Sequence, residues 1–125
     1  MKWDGIRYFA RSEFVCSCCG KEDMDYDFVE VMDRLRETLG RRLIVTSGWR
    51  CKRYNKKVGG KQNSAHLLGI AADITVVGSQ RRFNIIDYGI SLGITRFGIG
   101  KNYMHIDIGD DTTGHPKRVI WTYYS

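Results

Sequence analysis

No apolar run in the chain is long enough to cross a bilayer, which excludes a membrane-spanning role for a helical segment. The opening residues, Met1-Lys2-Trp3-Asp4-Gly5-Ile6-Arg7, have neither the apolar stretch nor the small-residue cleavage site of an export signal, so synthesis in the cytoplasm is expected. Neither a linker nor an internal repeat interrupts the sequence. With 42% apolar residues the chain can fill a single core, and residues 1–125 are expected to form one domain and a monomer. Aromatic residues are not interleaved with the Lys/Arg clusters at 34–42 and 50–61 in the manner of stacking platforms, which argues against a nucleic-acid partner. Histidine is scarce, with only three in the chain.

What is present begins with charge. A net charge of +6 implies an anionic partner, although Arg34, Arg36, Arg41 and Arg42 suit the solvated C-terminal end of a helix, where cations are favoured. Two of the three histidines lie in apolar surroundings beside aspartates. His66 and Asp73 sit in Ser64-Ala65-His66-Leu67-Leu68-Gly69-Ile70-Ala71-Ala72-Asp73, and about thirty residues later comes Met104-His105-Ile106-Asp107. Two imidazoles and a carboxylate are a donor set for zinc, and a site with three protein ligands keeps a fourth position for water, which the metal acidifies into a nucleophile. Such a site suggests a hydrolase.

The spacing supports convergence. After His66 a short apolar turn ends at Gly69, and residues 71–77 read as a buried strand of small and β-branched residues that carries Asp73. In residues 103–108 strict alternation puts His105 and Asp107 on one strand face and Met104, Ile106 and Ile108 on the other. Taken singly, each of these residues has an ordinary structural reading: a strand histidine is commonly a hydrogen-bonded core residue, and an aspartate after two alanines commonly caps a turn. Taken together, partner-free imidazoles in apolar strands would be costly. His115, in the polar stretch before Pro116, reads as a solvated loop residue.

A pass along the chain predicts an α+β order. Residues 12–14 begin a short element, and 25–39 form an amphipathic helix with Phe28, Val31, Met32, Leu35 and Leu39 on one face, stopped by Gly40. A strand at 43–46 leads into a Ser-Gly turn, and residues 52–57 suit a short helix. Ser79 is expected to cap a second long helix through Leu92, with Phe83, Ile86, Ile90 and Ile85 inward. Strands at 94–99 and 103–108 close the sheet, and the tail at 119–124 adds an edge strand whose aromatics are expected in the core. The four cysteines, Cys16, Cys18, Cys19 and Cys51, leave three readings open: an all-cysteine zinc site, disulfide pairing, or small buried residues. Adjacent cysteines point to opposite sides, which favours one pairing between the cluster and Cys51 over a four-thiolate site.

The pattern Ser-x-His-x-x-Gly-x-Ala-x-Asp at residues 64–73, with His-x-Asp at His105 and Asp107, resembles the zinc D-Ala-D-Ala carboxypeptidases and related peptidoglycan peptidases, including phage endolysins. Val45-Thr46-Ser47-Gly48-Trp49-Arg50-Cys51 is similar to that family's Ser-Gly-(Tyr/Trp)-Arg segment, Tyr54-Asn55 and Val58-Gly59-Gly60 to the elements that follow it, and residues 9–20 to its N-terminal Phe-x-x-x-Glu-Phe-x-Cys stretch. The resemblance implies a mainly antiparallel sheet packed with helices, with zinc in a cleft on the sheet, held by His66, Asp73 and His105. It implies that Arg50, whose planar fork suits a carboxylate, and Ser64 face the substrate, a peptidoglycan stem peptide within an anionic cell wall. Relatives carry an acid shortly before the last histidine, but Lys101-Asn102-Tyr103-Met104 contains none, so Asp107 is the candidate general base or an acceptor that orients an imidazole. The implied activity is carboxypeptidase or endopeptidase cleavage at the bacterial wall, reached on release at phage lysis. The alternative is a non-catalytic zinc-containing wall-binding module.

Overall fold

A computed structural model describes residues 3–123. Its elements run in the order β1 (Val45–Ser47), β2 (Ala71–Thr75), β3 (Arg96–Ile99), β4 (Tyr103–Asp107) and β5 (Val119–Thr122), with helices α1 (Tyr26–Leu39) before β1, α2 (Lys52–Lys57) before β2, and α3 (Ser79–Leu92) before β3. Three short connections pin these pieces. One-turn 3-10 helices occupy Arg11–Phe14, Ala65–Leu68 and Asp111–Thr113. The sheet order is β1-β2-β4-β3-β5, antiparallel throughout except for the parallel β3–β5 pair at the edge. The expected α+β architecture is thus present, with α1 and α3 packed on one face of the sheet.

The core explains which faces point where. Phe28, Val29, Met32 and Leu35 of α1 and Ile85 of α3 close over Ala72, Ile74, Phe97, Met104 and Ile106 from the strands. Asp25 caps α1 by accepting from the Phe28 N–H, and Gly40 ends it in the left-handed conformation at φ +66°. Asp33 is the charged residue on the buried side of α1; its two oxygens accept from the backbone N–H groups of Arg7 and Tyr8 at 2.9 and 2.8 Å, which ties down the N-terminal segment.

Several expected boundaries move. Gly78, not Ser79, is the N-cap of α3, and no side chain caps that end. Phe83 and Ile90 are exposed rather than inward, while Ile85 is fully buried. The reason is Gly89: it faces the core where a Cβ would come within 3.1 Å of Ile94 and 3.2 Å of Phe97, so the contact stripe runs through Ile85 and a glycine that a count of large apolar residues ignores. β2 stops at Thr75, with Val77 out in solvent, and β1 starts at Val45, two residues later than expected. The tail does form the edge strand, as β5; Tyr124 lies outside the described residues.

Candidate active site

The opposite face of the sheet is a cleft of about 630 Å³. Alternation along β4 sends Tyr103, His105 and Asp107 into it while Met104 and Ile106 fill the core. Register then does the assembly: Asp73 on β2 pairs directly with His105 on β4, and Arg96 on β3 pairs with Asp107. His66 arrives from the 3-10 turn that Ser64 caps, where the Ser64 hydroxyl oxygen accepts from the His66 N–H at 3.2 Å. The segment Ser47-Gly48-Trp49-Arg50 braces that turn. Trp49 donates from Nε1 to Leu67 O at 3.1 Å, and Gly48 lies so close to the Phe14 backbone that a Cβ would sit 2.6 Å from its Cα.

Each imidazole is held by its outer nitrogen. His66 Nδ1 donates to Gly48 O at 2.7 Å, because a carbonyl can only accept, and His105 Nε2 donates to Asp107 Oδ2 at 2.6 Å. The inner nitrogens are therefore acceptors, and both turn on one oxygen: His66 Nε2 is 3.2 Å and His105 Nδ1 3.1 Å from Asp73 Oδ1. Three lone-pair atoms cannot face one another without a proton or a cation between them. The ligand atoms of His66, Asp73 and His105 lie within 4.8 Å of one another, and the donor set of two imidazoles and a carboxylate, each oriented by a further hydrogen bond, fits zinc.

Electrostatics follow from these contacts. Burial pushes the His66 imidazole below its ordinary pKa. His105 is also buried, yet its bonds to Asp107 and Asp73 outweigh burial and raise it. Burial raises Asp73, but the two imidazoles hold its carboxyl well below the usual range, and Asp107 is lowered likewise by His105. A pH dependence results. In the metal-free protein the proton on His105 stabilises the fold below the ordinary histidine pKa near 6.5, and that contribution is lost as pH rises through the raised value. A metal ion held at these atoms would have to displace this proton, so its apparent affinity would fall about tenfold for each pH unit below the His105 pKa. Proton NMR of the metal-free protein checks the premise: His105 should titrate above 6.5 and His66 below it, and the reverse order would refute the assignment of the proton.

Arg50 and Ser64 both reach the cleft. Arg50 Nη2 bonds Asp73 Oδ2 at 3.1 Å, Nη1 bonds Asn55 Oδ1 at 3.2 Å and Nε bonds Ser47 Oγ at 3.1 Å, which leaves two of the five guanidinium N–H groups uncommitted. Gly60 permits this, since a Cβ there would collide with the Asn55 amide. Asp107 is fully buried, and its carboxylate accepts from His105, from the Gly109 N–H at 2.8 Å and from Arg96 Nε at 3.1 Å.

Some cleft residues were not legible in advance. His115 is not a solvated loop residue: it is 5% exposed, with Nδ1 bonded to Thr113 Oγ1 at 2.8 Å and Nε2 to Asn63 O at 2.6 Å. The Asp111–Thr113 turn and Gly114, in the left-handed conformation, fold the polar stretch back so that His115 becomes a wall of the cleft. The tail aromatics also leave the core. Trp121 stacks near His105 at 5.4 Å between ring centroids, and Tyr123 packs on Tyr103 at 5.4 Å; burial and the nearby Asp73 charge push the Tyr123 phenol up to about 12. The period of two in Val119, Trp121 and Tyr123 was the available signal.

The family model for peptidase M15 matches residues 7–108, a span that holds His66, Asp73, His105 and Asp107. The chain belongs to the peptidase M15 family. M15 peptidases are zinc enzymes, and membership makes this protein a metallopeptidase whose His66, Asp73 and His105 group fits the family motif. The M15 match ends before β5 and His115, so the cleft wall built by Trp121, Tyr123 and His115 lies beyond it. No curated protein matches the chain. Among the described residues, no helix is long and apolar enough to cross a membrane.

Proposed function

We propose that the protein hydrolyses peptidoglycan stem peptides at a bond close to a D-alanyl carboxylate, using zinc held by His66, Asp73 and His105. The observation that carries this reading is the convergence of three acceptor atoms on one point of an open cleft, next to an arginine with two N–H groups to spare. A zinc ion bound there would polarise the scissile carbonyl and acidify a water. The chain's own residues supply orientation. Gly48 O and Asp107 fix the two rings, Arg50 holds Asp73 Oδ2 so that Oδ1 faces the imidazoles, and the remaining Arg50 N–H groups receive the substrate carboxylate. The Ser64 oxygen already accepts from His66 N–H, so its hydroxyl hydrogen donates to the peptide. Tyr123, neutral up to about pH 12, is a second donor on the far wall.

In this proposal Asp107 serves the reaction through His105. All of its oxygens are engaged and it is sealed from solvent, an arrangement that suits an acceptor orienting an imidazole better than a base meeting a water in the cleft. Asp107→Asn is expected to weaken zinc binding or turnover about 10–100-fold. Full zinc occupancy with turnover abolished would restore Asp107 as the base.

The deciding experiment incubates zinc-loaded protein with a D-Ala-D-Ala pentapeptide and with purified peptidoglycan, and identifies products by mass spectrometry. Release of terminal alanine marks a carboxypeptidase, and internal cleavage an endopeptidase. Repeating the assay with the peptide's carboxyl amidated tests Arg50: the amide should raise KM strongly in the parent and hardly at all in the uncharged Arg50→Gln. Equal sensitivity in both would remove Arg50 from substrate binding. A second reading, a zinc-containing wall-binding module without turnover, is favoured by one observation, the lack of any acid in Lys101-Asn102-Tyr103-Met104. Bound zinc and wall binding with no product would establish it.

A further inference from the structure

Away from the cleft, three thiols meet. Cys16 and Cys19 have C-x2-C spacing on a tight turn closed by Cys16 N–H to Lys21 O at 2.7 Å and Gly20 N–H to Cys16 O at 2.8 Å. Cys51 comes from the loop immediately after Arg50. One sulfur from each lies within 4.8 Å of the other two, and Cys16 Sγ is 3.7 Å from Cys51 Sγ. That separation suits a shared metal better than a bond between the sulfurs. A disulfide requires about 2.05 Å between sulfurs. A tetrahedral zinc with Zn–S bonds of about 2.3 Å sets its ligand sulfurs about 3.8 Å apart.

The surroundings also suit a metal thiolate. Cys16 Sγ faces backbone N–H groups of Cys51, Cys18 and Cys19, and Cys51 Sγ accepts from the Tyr54 N–H at 3.4 Å. Such N–H donors disperse the charge of sulfur ligands, as outer hydrogen bonds do around other metal sites. Three thiolates around a divalent ion leave one negative charge, and Lys21 and Arg53 line the same groove. Cys18 is exposed and stands outside the three-sulfur group, as adjacent side chains on opposite sides require.

We propose that Cys16, Cys19 and Cys51 form a second metal site, a structural three-thiolate site for zinc whose fourth position opens onto the groove beside Trp49 and Arg53. Soft thiolates select zinc over calcium or magnesium. Each thiol gives up its proton on binding, and the chain gains a clamp between the N-terminal segment and the loop that carries Arg50. The Trp49 N–H to Phe14 O bond at 2.9 Å joins the same two segments. This site shares no residue with the histidine centre and stands whether or not the peptidase reading does.

Metal analysis of full-length protein, expressed and dialysed under reducing conditions, tests it. The parent should carry two zinc ions, His66→Ala one, and Cys19→Ser one. In cobalt-loaded His66→Ala the near-ultraviolet thiolate-to-cobalt band should be present, and adding Cys19→Ser should remove most of it while adding Cys18→Ser leaves it unchanged. A single zinc in the parent that vanishes in His66→Ala would overturn the proposal. So would an intact mass two hydrogens light with the missing pair mapped to Cys16 and Cys51, or a cobalt band indifferent to Cys19.

Discussion

His66→Ala is expected to lower peptide hydrolysis by at least a factor of roughly a thousand, the several kcal/mol of charge stabilisation that a polarising metal supplies at a scissile carbonyl. The imidazole does two things that alanine cannot replace. Its Nε2 presents a lone pair toward the point that Asp73 Oδ1 and His105 Nδ1 also face, and its Nδ1–H is spent on Gly48 O, which locks the ring. Two remaining ligands make a weak site. The substitution leaves Gly48 O without its buried donor and a small cavity, so a loss of about 1–3 kcal/mol in stability accompanies it. The measurement that separates the two effects is zinc rescue. Chelated parent should recover full turnover on adding zinc, whereas folded His66→Ala, checked by circular dichroism, should recover none. Turnover within tenfold of the parent would show that hydrolysis does not run through this centre.

Much of that centre could be read from residue order because the local rules agree with the tertiary outcome. Alternation in Tyr103-Met104-His105-Ile106-Asp107 is a local property, and it sorts cleft from core correctly. The pairing of Asp73 with His105 is different. It depends on the register of two strands thirty residues apart, and nothing local in either strand sets that register. The same limit hid Arg96, whose meeting with Asp107 is a cross-strand pair, and with it the fact that Asp107 is already saturated with donors. His115 was misread for another reason. A polar stretch normally marks a solvated loop, but Asp110 accepts from the Thr112 and Thr113 N–H groups and folds the stretch into a turn that packs inward. On α3, Phe83 and Ile90 carried the apolar weight while Gly89 carried the contact. Thus the side chains that reach the cleft were legible where one strand or one turn decides them, and their partners were illegible where two segments must meet.

Gly69→Ala is expected to destabilise the protein by about 3 kcal/mol or more, a large effect for adding one methyl group. Gly69 lies at φ +73°, where an L side chain is strained by about 1–2 kcal/mol. Its Cβ would also collide with Asp23 O and come within 2.8 Å of Met24 Cα and 2.9 Å of Asp25 N, all backbone atoms that no rotamer change can move. That crowding is the consequence of a useful contact: the Asp25 N–H donates to Gly69 O at 2.9 Å, joining the cap of α1 to the turn between His66 and Asp73. On one side of Gly69 the chain folds back through Gly69 N–H to His66 O, which sets the His66 ring; on the other, β2 begins and carries Asp73. Moving this backbone therefore separates His66 from Asp73 as well as loosening α1. Gly40→Ala is the control, since Gly40 has the same left-handed backbone at φ +66° but nothing within 4 Å of a Cβ. It should cost only the conformational strain, about 1–2 kcal/mol, so urea midpoints should place Gly69→Ala clearly below Gly40→Ala. Equal losses would mean that the Asp23–Asp25 backbone yields, and that Gly69 is needed for its φ angle alone.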